Sequence, residues 1–157
     1  MIRVLFVCTG NICRSPTAEG VFRHMVGEAG LADRIGTDSV GLHGWHIGDP
    51  PDPRSVEAAA RRGIDISDLR ARQLTLEDYD RFDLLLAMDD GHHRDMVRRA
   101  TRAQQDKVRM FMEAAAGKAA AAVPDPYYGG PDGFETVLDL IEEGARAWLR
   151  ELRRGTT

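Results

Sequence analysis

The sequence holds very little cysteine: Cys8 and Cys13, both in one short stretch of a 157-residue chain. Two cysteines so close together cannot staple a fold, which excludes a disulfide-framed secreted scaffold. No second Cys or His pair follows at zinc-ligand spacing, so no metal is expected. Lysine is nearly absent, with only Lys107 and Lys118 beside a large excess of arginine. That bias reads first as genome composition, so an arginine acting as an anion binder must be argued at its own position. The formal net charge is only −4, so no global field recruits nucleic acid or an anionic membrane, and a bound anion must be held locally. No run approaches the ~20 apolar residues that cross a bilayer. The apolar run from Val4 to Cys8 is too short for a signal peptide and has no small-residue cleavage site. The expected location is cytoplasmic.

What is present is ordinary globular composition, 43% hydrophobic and 29% charged, at a length suited to a single domain over residues 1–157 with a substantial core. Ile2 to Val7 is a β-branched apolar run without polar alternation, the pattern of a strand buried on both faces. Ser15-Pro16 then reads as a helix cap followed by a first-turn proline. Ala18, Phe22, Met25, Val26 and Ala29 recur at helical spacing. A weak extended segment surrounds Asp38 to Val40, and Gly41 to Pro53 is a Gly/Pro-rich loop carrying Trp45. Val56, Ala59 and Ala60 predict a short helix closed by Gly63. Leu84 to Met88 predicts a second strand, with Asp89 and Asp90 able to cap the helix after it. Val108 to Phe111 predicts another strand. The Ala-rich stretch from Ala114 to Val123 reads as a helical insertion or a surface loop. Phe134, Val137, Leu138, Ile141, Ala145, Trp148, Leu149 and Leu152 trace one face of a long last helix, with Trp148 in the core. Apolar strands alternating with amphipathic helices predict an α/β fold, with the site beyond the carboxyl ends of a parallel sheet.

The first strand ends in Cys8-Thr9-Gly10-Asn11-Ile12-Cys13-Arg14-Ser15. A loop between a buried strand and a helix start offers unpaired backbone N–H groups, which with the helix dipole favour an anion. Gly10 and Asn11 are the residues that most readily take the left-handed angles of such a nest. Arg14 adds a planar fork matched to two phosphate oxygens. Cys8 lies at the floor, where the field that attracts phosphate also favours a thiolate, placing a nucleophile under the phosphorus. The alternative is a buried apolar Cys8 ending a strand, which leaves Arg14 and Gly10 without a purpose.

The run VCTGNICRSPTAE closely resembles the phosphate-binding loop of low-molecular-weight protein tyrosine phosphatases. The resemblance continues in order along the chain through Gly44-Trp45-His46-Ile47-Gly48-Asp49-Pro50-Pro51-Asp52, Ala71-Arg72-Gln73, Met88-Asp89, Asp125-Pro126-Tyr127-Tyr128-Gly129 and Asp132-Gly133-Phe134-Glu135. It implies a three-layer α/β sandwich around a central four-stranded parallel sheet. It also implies hydrolysis of phosphotyrosine in proteins, and of small aryl phosphates, without a cofactor. Cys8 would form a phosphocysteine, and Ser15 would steady the thiolate as it leaves. Residues Thr9, Gly10, Asn11, Ile12 and Cys13, with Cys8 and Arg14, would bind the phosphate or another oxyanion. Asn11 would hold the strained loop, and Asp125 would serve as general acid and then base. Only the resemblance selects Asp125 among 25 Asp and Glu residues. Ile12, Trp45, Tyr127 and Tyr128 would wall the pocket, and Cys13 would take part in reversible oxidation. A monomer is expected, or a weak homodimer through the aromatic rim.

One position departs from the family. Leu69 stands where a histidine commonly supports the loop asparagine, and Ser39 is the candidate to supply that support to Asn11. His92 and His93 read as a solvated helix start. An arsenate reductase would need cysteines beyond Cys13. A phosphoarginine phosphatase would carry Thr in place of Ile12 and Phe in place of Tyr127. A non-enzymatic phosphotyrosine-binding module would be expected to lose Cys8, Arg14 or Asp125.

Overall fold

The opening apolar run forms β1 (Ile2–Cys8), in which Val4 to Val7 are wholly buried. Alternation sends Val4, Phe6 and Cys8 to one face of the sheet and Leu5 and Val7 to the other, and each set joins a separate apolar cluster. The computed structural model describes residues 1–115, 122–126 and 131–156. Within them β1 lies between β2 (Ile35–Gly41) and β3 (Leu84–Ala87), and β4 (Val108–Met110) pairs with β3. All pairings are parallel, in the order β2-β1-β3-β4. Residues 116–121 of the Ala-rich stretch lie outside the described residues.

Two helices cover the first face: α1 (Arg14–Glu28), and the last helix, numbered α5 (Pro131–Thr156). The predicted apolar stripe from Phe134 to Leu149 packs there with Phe6, Phe22 and Phe111. Trp148 is core, and its indole N–H donates to the Phe111 carbonyl. The short α2 (Pro53–Ala60), capped by Asp52 through the Arg54 amide, packs beside them. Gly63 takes a left-handed φ of 78° in the turn after α2, the backbone freedom expected of it. The second face is covered by α3 (Asp78–Arg81), which the sequence pattern did not announce, and α4 (Asp90–Arg99), through Tyr79 and Met96. These are the three layers the sequence implied. Among the described residues no helix is long and apolar enough to cross a membrane.

Three local expectations change. The weak extended segment is a full seven-residue strand, because β2 pairs with β1 along its whole length. The last strand stops at Met110, and Phe111–Ala114 turns as a 3₁₀ helix. Ser15 is not the cap of α1: the helix begins at Arg14, Cys13 occupies the cap position without a side-chain hydrogen bond, and the Ser15 hydroxyl is committed elsewhere.

The strand order sets the site. From β1 the chain leaves over one face toward β2, and from β3 it leaves over the other face into α4. The carboxyl ends of these adjacent strands therefore open a crevice, where ligands bind in folds of this class. Cys8 and Met88 lie at its two lips.

Gly20 reports how closely α1 is seated. A β-carbon there would meet Cγ2 of the wholly buried Ile66 at 2.2 Å. Alanine should gain about 1 kcal/mol of helix propensity, and overpacking against a branched buried neighbour should cost about 1–3 kcal/mol. Gly20→Ala is expected to lower the urea midpoint with an unchanged slope; a raised midpoint would mean that Ile66 yields freely.

Candidate active site

The loop after β1 turns its carbonyls outward. The Cys8 oxygen accepts from the Leu42 amide, Thr9 from His43, Ile12 from Asp52 and Cys13 from Thr17. A planar peptide with its carbonyl directed out points the adjoining N–H inward. Among the described residues no acceptor takes the N–H groups of Thr9 to Cys13. The result is a nest of amides running into the first turn of α1. Only one of the two expected residues is left-handed: Asn11, at φ 60°. Gly10 is needed for space instead, since a β-carbon there would lie 3.0 Å from Cδ2 of His46. Gly41 has a similar part at the end of β2, where a β-carbon would meet the loop backbone at 2.9 Å.

The Asn11 side chain ties the loop down. Its Nδ2 donates to Ser15 Oγ at 2.8 Å and to Ser39 Oγ at 3.0 Å, and its Oδ1 accepts the Arg72 amide at 3.0 Å. Ser39 thus gives the support expected of it where Leu69 cannot. Ser39 in turn donates to the buried carboxylate of Glu19 at 2.9 Å. Ser15 Oγ lies 3.0 Å from Cys8 Sγ. A continuous polar chain therefore runs from Glu19 through Ser39, Asn11 and Ser15 to the thiol. Burial raises the Glu19 carboxyl from its ordinary 4.5 to about 6, and the Ser39 hydroxyl opposes that rise. The Arg72 guanidinium spans Asp38 and the buried Asp78, fixing the segment whose amide holds Asn11.

Arg14 is 5% exposed and held from behind. Its Nη1 donates to Asp89 Oδ2 at 2.9 Å and to the Val123 carbonyl at 3.1 Å. Val123 also donates its amide to the Met88 carbonyl at 2.8 Å, so the segment leading to Asp125 is stitched to the end of β3. Asp125 Oδ2 then lies 3.7 Å from Arg14 Nη2. Asp89 caps α4 through the His92 amide at 2.8 Å. Burial pushes the Asp89 carboxyl up, but His92 and Arg14 together hold it below its ordinary value.

Cys8, Thr9, Gly10, Ile12, Cys13, Arg14, Trp45, His46 and Asp125 surround an open cavity of about 200 Å³. The structure thus brings the predicted nucleophile, anion binder and carboxylate to one cup, with Ile12 and Trp45 on its walls. Trp45 is 71% exposed and stacks on His43 with ring centroids 4.4 Å apart. Asn11 and Ser15 stand behind the loop rather than in the cavity. Tyr127 and Tyr128, the other expected wall residues, lie outside the described residues. Both cysteines are free and buried, and burial with Asp52 nearby pushes the Cys13 thiol up to about 12.

The sequence pattern of the low molecular weight phosphotyrosine protein phosphatases matches residues 3–157. The chain belongs to that family. It is 48% identical over 143 residues to the low molecular weight phosphotyrosine protein phosphatase of Schizosaccharomyces pombe, covering 90% of this chain and 91% of that one. It is 45% identical to the low molecular weight protein-tyrosine-phosphatase of Streptomyces coelicolor, covering 96% and 93%. Among solved structures, the protein tyrosine phosphatase of Entamoeba histolytica with Hepes in its active site superposes with a TM-score of 0.94 at 31% identity, each chain covered in full. Vibrio vulnificus Wzb in complex with benzylphosphonate superposes at 0.83 and 29% identity, covering 96% and 98%.

Within this phosphatase fold, His46 on the cavity wall escaped the sequence reading, and so did the roles of Asp89, Glu19 and His92 behind it. Asp89 announced itself as a helix cap, but its second oxygen backs Arg14. Glu19 left a faint signal, an acidic residue inside the wholly buried first half of α1. His92 is corrected outright: it is not at a solvated helix start but 5% exposed, with Nε2 2.8 Å from Thr9 Oγ1.

Glu19 gives a testable pH dependence. Its folded value of about 6 exceeds the ordinary 4.5, so the native state holds the proton more tightly than the unfolded chain. Stability from this group is complete below about pH 4.5 and is lost as pH rises through about 6. Glu19→Gln cannot titrate, so urea unfolding should show the variant gaining on the wild type between about pH 4.5 and about pH 7. A constant difference between the two proteins would mean that Glu19 does not titrate in this window.

Proposed function

We propose that residues 1–157 form one phosphatase domain that hydrolyses phosphotyrosine in proteins, and small aryl phosphates, through a phosphocysteine on Cys8. One observation carries the reading: a buried thiol, steadied by Ser15 at 3.0 Å, sits at the floor of an amide nest whose cavity also holds Arg14 and Asp125. The amides of Thr9 to Cys13 and the Nε and Nη2 donors of Arg14 bind the phosphate oxygens, since Nη1 is already engaged behind the loop. Cys8 sulfur attacks phosphorus as the ester P–O bond breaks, and Asp125 protonates the leaving phenolate. Water then attacks phosphorus, Asp125 takes its proton, and the S–P electron pair returns to a thiolate steadied by the Ser15 hydroxyl.

The walls favour an aryl ester. Ile12 and Trp45 supply apolar surface, and Tyr127 and Tyr128 belong to the proposed rim on the strength of the family resemblance. The relative solved in complex with benzylphosphonate, an aromatic phosphonate, supports the same substrate class. Cys13 is not the nucleophile, because burial holds it as a thiol. Its proposed part is reversible oxidation together with Cys8.

Hydrolysis of para-nitrophenyl phosphate in EDTA and a thiol reductant tests the mechanism. Turnover should vanish in Cys8→Ser, and kcat should fall about 10²- to 10⁴-fold in Asp125→Asn. Activity retained by Cys8→Ser would refute the nucleophile assignment. With peptides, phosphotyrosine should be preferred over phosphoarginine; the reverse order would leave the loop chemistry standing and overturn the specificity drawn from Ile12 and Tyr127.

A further inference from the structure

Among the described residues, His92 is the buried side chain whose polar atom is left without a hydrogen-bond partner, and the proposed reaction does not use it. It lies in the first turn of α4, against Thr9 and Asp89. Nε2 shares a hydrogen bond of 2.8 Å with Thr9 Oγ1. Nδ1 is buried with no hydrogen-bond partner among the described residues, although Asp89 Oδ1 is only 3.4 Å away. That oxygen already accepts the His92 amide. A buried ring nitrogen left unpaired 3.4 Å from a carboxylate is an expensive arrangement for a merely structural side chain. Both ring nitrogens become donors when imidazole takes up a proton. A small rotation would then satisfy Nδ1 on Asp89 while Nε2 donates to Thr9.

We propose that His92 is a positioning residue that takes up a proton from solvent when a dianionic oxyanion fills the amide cup, locking Thr9 and Asp89 in place around it. The inference rests on the reading of that cup as an oxyanion site. The charged groups around the ring explain the coupling. Burial is the largest influence, and with Arg14 from α1 and His43 from the loop after β2 it disfavours the imidazolium. Asp89 from the β3–α4 turn and Asp125 from the segment before α5 favour it. Arg94, Asp95 and Arg98 of α4 itself line an open groove together with His92, Thr9, His43 and Asp89. The balance leaves the ring neutral, lowered from 6.5 to about 4. Two negative charges arriving beyond Thr9 offset Arg14 and shift that balance toward the cation. Protonation also gives Asp89 a second cationic neighbour, freeing Arg14 to lean on the anion.

The sign follows from linkage. If the bound state holds the proton more tightly, anion affinity rises as pH falls through the bound-state midpoint and levels off below the free-state midpoint. Sulfate is the suitable probe, because it stays dianionic from about pH 4 to about pH 8 and any proton taken up belongs to the protein. The full chain carrying Cys8→Ser removes the thiol from the titration. Imidazole nitrogen shifts, with His92 assigned by its loss in His92→Gln, should give a midpoint that moves up by about one pH unit or more when sulfate saturates the loop. Sulfate affinity should strengthen toward low pH, and His92→Gln should flatten that slope. Loop amides that respond to sulfate while the His92 midpoint stays fixed would overturn this inference alone. Loop amides that do not respond at any sulfate concentration would overturn the oxyanion reading and this inference together.

Discussion

Asn11 holds a left-handed backbone angle that costs an ordinary residue on the order of 1 kcal/mol, and its own side chain supplies the restraint. Three hydrogen bonds, to Ser15, Ser39 and the Arg72 amide, each contribute about 1 kcal/mol net, enough to offset the strain. That one conformation turns the peptide planes on either side of it. It directs the loop carbonyls to Leu42, His43 and Asp52 and leaves the amides facing the cup. The Ala71-Arg72-Gln73 motif, β2 and the start of α1 meet at this side chain, so elements far apart in the chain share one anchor. The site's geometry is a consequence of the anchor rather than of the loop's own stiffness.

The sheet explains why that anchor has something to hold. β1 is a central parallel strand, buried on both faces, and its end is fixed by pairing along Cys8↔Gly41. Gly41 is the other half of the arrangement, because a β-carbon there would lie 2.9 Å from the backbone of Thr9 and Gly10. On the other lip, Met88 and Val123 exchange one backbone bond while Val123 binds Arg14. The arginine is thus positioned by main chain of the segment before α5, which the end of β3 holds in turn.

Much of this was legible in the residues. The unbroken apolar runs of β1 and β3, the stripe of α5 and the Cys-to-Arg loop follow from period and local chemistry, and the family resemblance added Asp125 and Trp45. What escaped has a common physical cause. Glu19 and His92 are polar residues on helices, where sequence pattern predicts solvent. Each is held inside by a distant partner, Ser39 for Glu19 and Thr9 for one ring nitrogen of His92, and no local periodicity encodes such a partner. Asp89 was legible only as a cap, since a carboxylate's second oxygen leaves no trace in local sequence. Gly10 was credited with backbone freedom when its real constraint is the nearby His46 ring. The short α3 escaped, and β4 ends one residue before the predicted Phe111, for a different reason: tertiary pairing, rather than propensity, sets the ends of short elements.

The charges at the site also explain how an acidic chain can hold a dianion. Arg14 is the cation lining the cavity among its described residues, yet Asp89 stands 2.9 Å behind it and Asp125 lies 3.7 Å from its other nitrogen. Summed as formal charges, this cluster is not positive. The attraction must therefore come from directed dipoles, the inward amides of the loop and the first turn of α1, which carry no formal charge and do not appear in a net of −4. Dipoles act at short range and only when correctly aimed. This returns the burden to Asn11 and its partners, because a loop that relaxed by one peptide flip would lose much of its field while keeping every charged residue. It also accounts for the buried, neutral state of His92. A permanent cation below Thr9 would attract anions without discrimination, whereas a ring that charges only when the cup is filled adds its field after the amides have selected an oxyanion by shape.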